Sequence, residues 1–158
     1  MKETKMLTMN LEQVKTMFLL DSATRKANKS SNAPIIKLID LIDNNSLKIT
    51  AEMGKGGSIL NRGSVVECLV KILLNNQKSA KKYQSGRADM YLNGVGYEIK
   101  YSSAKGYASF SGAITRQLIF VNQYGVYLTT GDNLVMDKCG KHIQSIKMNN
   151  SVKVLLEF

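Results

Sequence analysis

Residues 88–101 read ADMYLNGVGYEIKY, a run in which apolar and polar residues alternate on either side of Asn93-Gly94. Asn-Gly between two alternating runs is the strongest short-range indication of a β-hairpin with a two-residue turn. With that turn, Met90 pairs with Tyr97. The sequence therefore predicts an antiparallel hairpin over about residues 87–102.

The predicted register also places two carboxylates, Asp89 and Glu98, opposite each other. Directly opposed residues have Cβ atoms about 5 Å apart, and like charges at that spacing destabilise a sheet. At an effective dielectric constant near 20, this repulsion is about 3 kcal/mol. Lys100 lies on the same face as Glu98, and its own predicted partner is Arg87 rather than an acid. A divalent cation would reverse the repulsion, and carboxylate oxygens suit Mg²⁺ or Mn²⁺.

Acidic residues are scarce around the hairpin. Between Met53 and Gly131 the chain has three carboxylates against ten Lys and Arg, a net charge of +7, whereas the whole chain carries +10. The third carboxylate is Glu67, within an apolar stretch that predicts a helix over about residues 58–76. Taken alone, Glu67 favours a solvated i, i+4 pair with Lys71. A basic region that retains so few acids is typical of a surface that binds nucleic acid.

The rest of the chain alternates between helical and strand patterns. Asn10 and Gln13 predict a capping box that opens a helix over about residues 11–28. A second helix is expected to begin near Pro34, with apolar residues along one face. The remaining expected elements are a strand over about 47–53, a helix over about 109–121, and strands over about 126–129, 142–148 and 152–158. This order predicts an α/β protein.

Composition excludes several classes of protein. The chain has 158 residues, 44% of them apolar and 22% charged, which suits one globular domain and argues against disorder or coiled coil. No run approaches 18 apolar residues, so no membrane-spanning helix is predicted. Cys68 and Cys139 lack a CxxC spacing, and we expect them to be buried thiols in a reducing cytoplasm rather than a disulfide or zinc site.

Asp89, Glu98 and Lys100, preceded by an acid on a helix, resemble the PD-(D/E)XK nuclease superfamily. The stretch from Arg62 to Glu67, followed by an apolar helix, is similar to the start of archaeal Holliday-junction resolvases. The resemblance implies metal-dependent hydrolysis of phosphodiester bonds in branched or structured DNA. It also implies that Asp89 and Glu98 bind Mg²⁺ or Mn²⁺, that Glu67 supports the metal or its water shell, and that Lys100 serves the nucleophile.

The resemblance covers about residues 60–130 and implies a restriction-endonuclease-like α-β-β-β-α-β core. On this basis residues 1–158 are expected to form a single nuclease domain. Its expected parts are a helical extension over 1–55, a catalytic core over 56–131 and C-terminal strands over 132–158.

The expected partner is DNA, with no membrane. Because symmetric cutting of two strands requires two sites, the protein is expected to act as a homodimer. The expected DNA contacts are basic and polar side chains in or beside the core: Arg62, Lys81, Lys82, Arg87, Ser102, Ser103, Lys105, Arg116 and Gln117. The expected location is the cytoplasm of a prokaryotic cell, or of the host of its virus or mobile element.

Two alternatives remain open from the residues. One is a catalytically inactive nucleic-acid-binding protein on the same fold, such as an inhibitor or packaging factor of a mobile element. The other is a restriction-type endonuclease that recognises a specific sequence. The intact set of Glu67, Asp89, Glu98 and Lys100 favours a catalytic protein over the first alternative.

Overall fold

The structure, a computed structural model, shows an α/β protein. It describes residues 5–24, 29–54, 60–75, 79–81, 88–102, 108–109 and 116–158. The chain divides into two compact units, Met1–Arg87 and Ala88–Phe158. In the part of the chain that is described, no helix has the length and apolar character needed to cross a membrane.

The first unit combines three helices with a three-stranded sheet among its described residues. The strand order is β1-β2-β3, with β1 and β2 antiparallel and β2 and β3 parallel. The expected helical extension therefore also contributes two strands to a sheet. The elements in chain order are β1 (Met6–Asn10), α1 (Leu11–Thr24), α2 (Lys29–Leu41), β2 (Lys48–Glu52), α3 (Arg62–Asn75) and β3 (Ser79–Lys81).

The start of α1 confirms the predicted capping box. The Asn10 amide donates to Gln13 Oε1 at 3.0 Å, and the Gln13 amide donates to Asn10 Oδ1 at 2.8 Å. These two bonds satisfy backbone donors that the first turn of a helix leaves without intrahelical partners. The residues from Leu11 onward therefore become helical where the sequence predicts it.

Helix α2 begins at Lys29, five residues before the expected start, and includes Pro34. Pro34 is the sixth residue of the helix, so its missing amide removes only one intrahelical hydrogen bond. The predicted apolar face is confirmed, because Ile35, Leu38 and Ile39 are buried. Burial of this face stabilises the helix despite the proline.

Among its described residues the second unit contains strands arranged in two sheets and one short 3-10 helix, Gly131–Asn133. The larger sheet has the order β11-β8-β7-β5-β4, and the smaller has the order β6-β10-β9. Within the larger sheet β5 and β7 are parallel and the other neighbours are antiparallel. The strands in chain order are β4 (Met90–Leu92), β5 (Val95–Tyr101), β6 (Ala108–Ser109), β7 (Gln117–Asn122), β8 (Gly125–Thr130), β9 (Leu134–Met136), β10 (His142–Ile146) and β11 (Lys153–Glu157).

The hairpin of β4 and β5 confirms the predicted turn and register. Met90 pairs with Tyr97 and Leu92 pairs with Val95. Asn93 and Gly94 have φ angles of 51° and 80°, as a type I′ turn requires at both central residues. The turn residues thus determine which side chains of β5 share a face.

The helix expected over residues 109–121 is wrong where the structure describes it. Residues 117–122 form β7, and 110–115 lie outside the described residues. Strand β7 has neighbours on both sides, and all four residues from Leu118 to Val121 are buried. A central strand buried on both faces has no alternating pattern, so its short apolar run resembles a buried helical segment.

A core cluster joins the two sheets of the second unit. Its buried members are Leu118, Phe120, Tyr127, Leu134 and Ile143, which come from β7, β8, β9 and β10. In the parallel ladder Glu98 is the register partner of Leu118, and Lys100 is the partner of Phe120. The face of β5 that carries Glu98 and Lys100 is therefore continuous with this packed face of β7.

Candidate active site

Strand β5 presents two chemically different faces. Tyr97 and Ile99 are buried on one face. Glu98, Lys100 and Ser102 have the opposite parity and lie on the other face, because successive side chains of a strand alternate. The Glu98 and Lys100 side chains are 28% and 25% exposed, so both are accessible to solvent.

Glu98 is paired with two cations. Arg116 Nη1 lies 2.6 Å from Glu98 Oε2, and Lys100 Nζ lies 3.4 Å from Glu98 Oε1. Arg116 reaches Glu98 because it immediately precedes β7, two residues before Leu118, the register partner of Glu98. Each carboxylate oxygen of Glu98 therefore has a cationic neighbour on the same face of the sheet.

The cations around Glu98 favour its ionised form. Partial burial by itself raises the pKa of Glu98, but the hydrogen bond from Arg116 and the charges of Lys100 and Arg116 outweigh it. The net result is a pKa below the ordinary value of 4.5. At neutral pH this position thus holds a carboxylate anion, the protonation state that a cation ligand requires.

Asp89 lies immediately before β4, outside the paired part of the hairpin. Its Oδ2 accepts a hydrogen bond from the Ile99 amide at 2.8 Å, which fixes the carboxylate beside the peptide that follows Glu98. The expectation that Asp89 and Glu98 face each other as uncompensated charges is therefore wrong. Glu98 is paired with two cations and Asp89 accepts a backbone donor, so the two carboxylates repel each other less than the sequence suggested.

Ser102 and Gln117 have different surroundings, although both were expected to contact DNA. The Ser102 hydroxyl donates to the Ile143 carbonyl at 3.1 Å, and Ser102 is 2% exposed. Its described contact thus ties the end of β5 to β10 inside the second unit. Gln117 is exposed at the start of β7, next to Arg116.

Glu67 belongs to the first unit, on α3. Lys71 Nζ lies 2.9 Å from Glu67 Oε1, and the two side chains are 1% and 7% exposed, respectively. The i, i+4 pair that the sequence offered as the alternative is therefore present, but it is buried rather than solvated. An ion pair this deeply buried is part of the packing around α3, because separating a buried charge from a partner is costly.

Arg62 takes part in a network that joins three helices of the first unit. Its Nη2 lies 2.7 Å from Asp21 Oδ2, and its Nε donates to Asn32 Oδ1 at 2.6 Å. Asn32 in turn donates to the same Asp21 oxygen at 2.8 Å. This network connects α1, α2 and α3. Sequence reasoning missed it because its members lie up to 41 residues apart in the chain.

Several expected DNA contacts lie wholly or partly outside the described residues. Lys81 is described only through its backbone, as the last residue of β3. The others outside the described ranges are Lys82, Arg87, Ser103 and Lys105.

The donor chemistry of Asp89 and Glu98 fits a hard divalent cation. Both offer carboxylate oxygens, and Mg²⁺ is commonly held by one or two carboxylates while it keeps several waters. In the described part of either unit, no three His, Cys, Asp or Glu side chains are grouped to share an ion. The fit to Mg²⁺ or Mn²⁺ thus depends on two carboxylates of the second unit, with Lys100 beside them.

Comparisons of the chain with protein-family models, with curated proteins and with solved structures find no match. The function of the site is therefore inferred from its own residues and contacts.

Proposed function

We propose that the protein is a metal-dependent endodeoxyribonuclease that hydrolyses phosphodiester bonds in branched or structured DNA. The observation that carries this proposal is the grouping of Asp89, Glu98 and Lys100 on one hairpin. Asp89 is fixed next to the Glu98–Ile99 peptide, and Lys100 contacts the Glu98 carboxylate. Two carboxylates held close together in the chain's fold, with a lysine beside one of them, are a suitable arrangement for metal-assisted phosphoryl chemistry.

The strand arrangement supports a restriction-endonuclease-like core. An antiparallel hairpin, β4 and β5, is followed by β7, which runs parallel to β5 and beside it. Parallel neighbours require a crossover connection, and the chain has room for one between Tyr101, where β5 ends, and Gln117, where β7 begins. Helix α3 precedes the hairpin in the chain, as in the α-β-β-β-α-β order of the superfamily that the sequence resembles.

In the proposed mechanism, Asp89 and Glu98 hold the cation and Lys100 acts on the substrate. When bound, Mg²⁺ or Mn²⁺ would polarise the phosphate and make a water a better nucleophile. The Lys100 ammonium is a point charge with three donors, which can orient the attacking water or stabilise the negative charge that develops on the phosphate. Arg116, which lies beside the site, would help to position the DNA backbone.

Charge supports DNA as the substrate. By sequence, residues 1–87 carry 15 basic and 7 acidic residues, a net charge of +8, and residues 88–158 carry 7 and 5, a net charge of +2. A field of this sign attracts polyanions without reading their sequence.

We further propose a homodimer, since cutting both strands symmetrically needs two sites. We also propose a cytoplasmic location in a prokaryotic cell or in the host of its virus or mobile element.

The decisive experiment is a cleavage panel on four-way junction, flap, single-stranded and duplex DNA, each with Mg²⁺, Mn²⁺ or EDTA. Wild type is expected to cut at least one branched substrate with either cation and none in EDTA. A Glu98→Gln variant, purified in parallel, controls for contaminating nucleases and should be inactive. Equal cutting by wild type and Glu98→Gln would reject the proposal, and binding without any cutting would favour the inactive DNA-binding alternative.

A further inference from the structure

The two oxygens of Glu98 that a divalent cation would use are the ones that Arg116 and Lys100 contact. Arg116 makes the shorter contact, 2.6 Å to Oε2, against 3.4 Å for Lys100 to Oε1. A cation that binds Glu98 must therefore compete first with the Arg116 guanidinium. Competition of this kind gives Arg116 a part in metal binding although it is not a ligand.

The backbone at Arg116 is held in place, whereas its side chain is exposed. Its carbonyl accepts a hydrogen bond from the Gly131 amide at 3.2 Å, and the next residue, Gln117, is paired with Thr130 in the ladder. The backbone is thus anchored on β8, whereas the side chain is 50% exposed. An ion pair this exposed is weak, so a doubly charged ion can displace it.

A guanidinium released from Glu98 would still lie beside the site. Its planar set of donors matches a phosphate as well as a carboxylate. We propose that Arg116 is a positioning residue that exchanges anions: it holds Glu98 while no cation is bound, and it contacts the DNA phosphate once a cation takes Glu98. This inference rests on the proposed function and adds a coupling between metal and DNA binding.

The coupling works in both directions. A bound cation makes Arg116 available to DNA, and DNA that engages Arg116 makes Glu98 available to the cation. Each ligand therefore raises the affinity for the other by the same factor, as thermodynamic linkage requires.

The first test measures Mn²⁺ binding to the DNA-free protein from the spectroscopic signal of unbound Mn²⁺. Arg116→Gln should bind Mn²⁺ about two- to fivefold more tightly than wild type, the range expected when a half-exposed competing ion pair is removed. Lys153→Gln is the matched control, because Lys153 is an exposed cation of the same unit on β11 and should leave Mn²⁺ affinity unchanged. Arg116→Lys keeps the competing charge and should stay close to wild type.

The second test measures binding to a labelled four-way junction over a range of salt, in EDTA and in Ca²⁺. In Ca²⁺ the wild-type slope of log affinity against log salt should be steeper by about 0.9, corresponding to one additional phosphate contact. Arg116→Gln should lose that increment and match wild type in EDTA, whereas Lys153→Gln should show it.

The outcomes separate the two proposals. Mn²⁺ affinity that is lowered by Glu98→Gln but unchanged by Arg116→Gln would overturn the exchange and leave the metal site standing. An absence of Mn²⁺ binding in wild type would overturn the proposed function together with the exchange. A slope increment that persists in Arg116→Gln would also overturn the exchange.

Discussion

Two of the acid–lysine pairs among the described residues look alike in sequence and differ in surroundings. Glu67 and Lys71 lie one turn apart on α3, with Lys71 Nζ 2.9 Å from Glu67 Oε1, and both side chains are buried. Glu98 and Lys100 lie two residues apart on β5, with Lys100 Nζ 3.4 Å from Glu98 Oε1, and both side chains are about one quarter exposed. Arg116 shares Glu98 in the second pair at 2.6 Å.

The difference shows how burial decides what a charged pair can do. A buried pair must stay together, because either charge alone inside the protein is costly. A partly exposed pair is weaker, and water, a cation or a phosphate can replace either partner. The Glu67–Lys71 pair therefore suits a structural role in the packing of α3, and the Glu98–Lys100 pair suits the exchange of partners that the proposed chemistry needs.

The largest expected effect is on stability, from Lys71→Met. This change leaves Glu67 buried without its cation and should lower the free energy of unfolding by about 3–5 kcal/mol. Lys100→Met removes one partner of a pair that is about one quarter exposed, and should cost less than about 1 kcal/mol. Urea denaturation of both variants measures the contrast.

The double variant Glu67→Gln, Lys71→Met is the control for that measurement. It removes both charges, so much of the stability lost in Lys71→Met should return. Equal destabilisation by Lys71→Met and Lys100→Met would contradict the distinction between the two pairs.

The next effect is on turnover, from Lys100→Met. Loss of a group that stabilises charge in the transition state should lower the single-turnover cleavage rate by about 10²–10³, which is about 2.7–4 kcal/mol. DNA affinity should change little, because the deficit lies in the transition state. The Lys153→Met variant, which lacks a different cation of the same unit, should cleave DNA at the wild-type rate. A wild-type rate in Lys100→Met would show that Lys100 takes no part in the chemistry.

A smaller effect concerns where DNA binds. If about five phosphates are contacted, log affinity should fall with log salt at a slope near −4 to −5. Replacing Lys81 and Lys82 by Ala, in the more basic first unit, should flatten the slope by about 1.8. Replacing Lys138 and Lys141 by Ala, two exposed lysines of the second unit, should leave it nearly unchanged. The reverse pattern would mean that most phosphate contacts outside the cleavage site lie on the second unit.

The smallest effect is the pH dependence of the Glu98 pair. Because its cations hold the pKa of Glu98 below 4.5, the pair stabilises the protein above that pH, and the stabilisation is lost as pH falls through the lower folded pKa. The difference in unfolding free energy between wild type and Glu98→Gln should be under about 1 kcal/mol at pH 6 and should shrink as the pH falls below 4.5. A difference that is independent of pH would mean that the Glu98 charge is not stabilised by its neighbours.

The sequence predicted the hairpin and the start of α1 well because both depend on local chemistry. Asn93-Gly94 determines the turn, and Asn10 with Gln13 caps the helix, within a few residues of chain. The site residues on β5 follow from this turn, since strand alternation places Glu98 and Lys100 on one face.

The partners of those residues depend on tertiary structure, and the sequence did not predict them. Arg116 pairs with Glu98 only because β7 runs parallel to β5, and β7 was expected to be helical. The sequence allowed an ion pair between Glu67 and Lys71, but its burial depends on what packs around α3. The Asp21–Asn32–Arg62 network likewise forms only when three helices meet.

The most direct test of the central claim, that Asp89 and Glu98 hold a divalent cation, is the unfolding free energy with Mn²⁺ against EDTA. Wild type should gain about 2.7 kcal/mol when Mn²⁺ is present at a hundredfold excess over its Kd. Lys153→Gln should gain the same amount, while Asp89→Asn and Glu98→Gln should gain little. A wild type that does not respond to Mn²⁺, or a Glu98→Gln variant that responds as wild type does, would contradict the account.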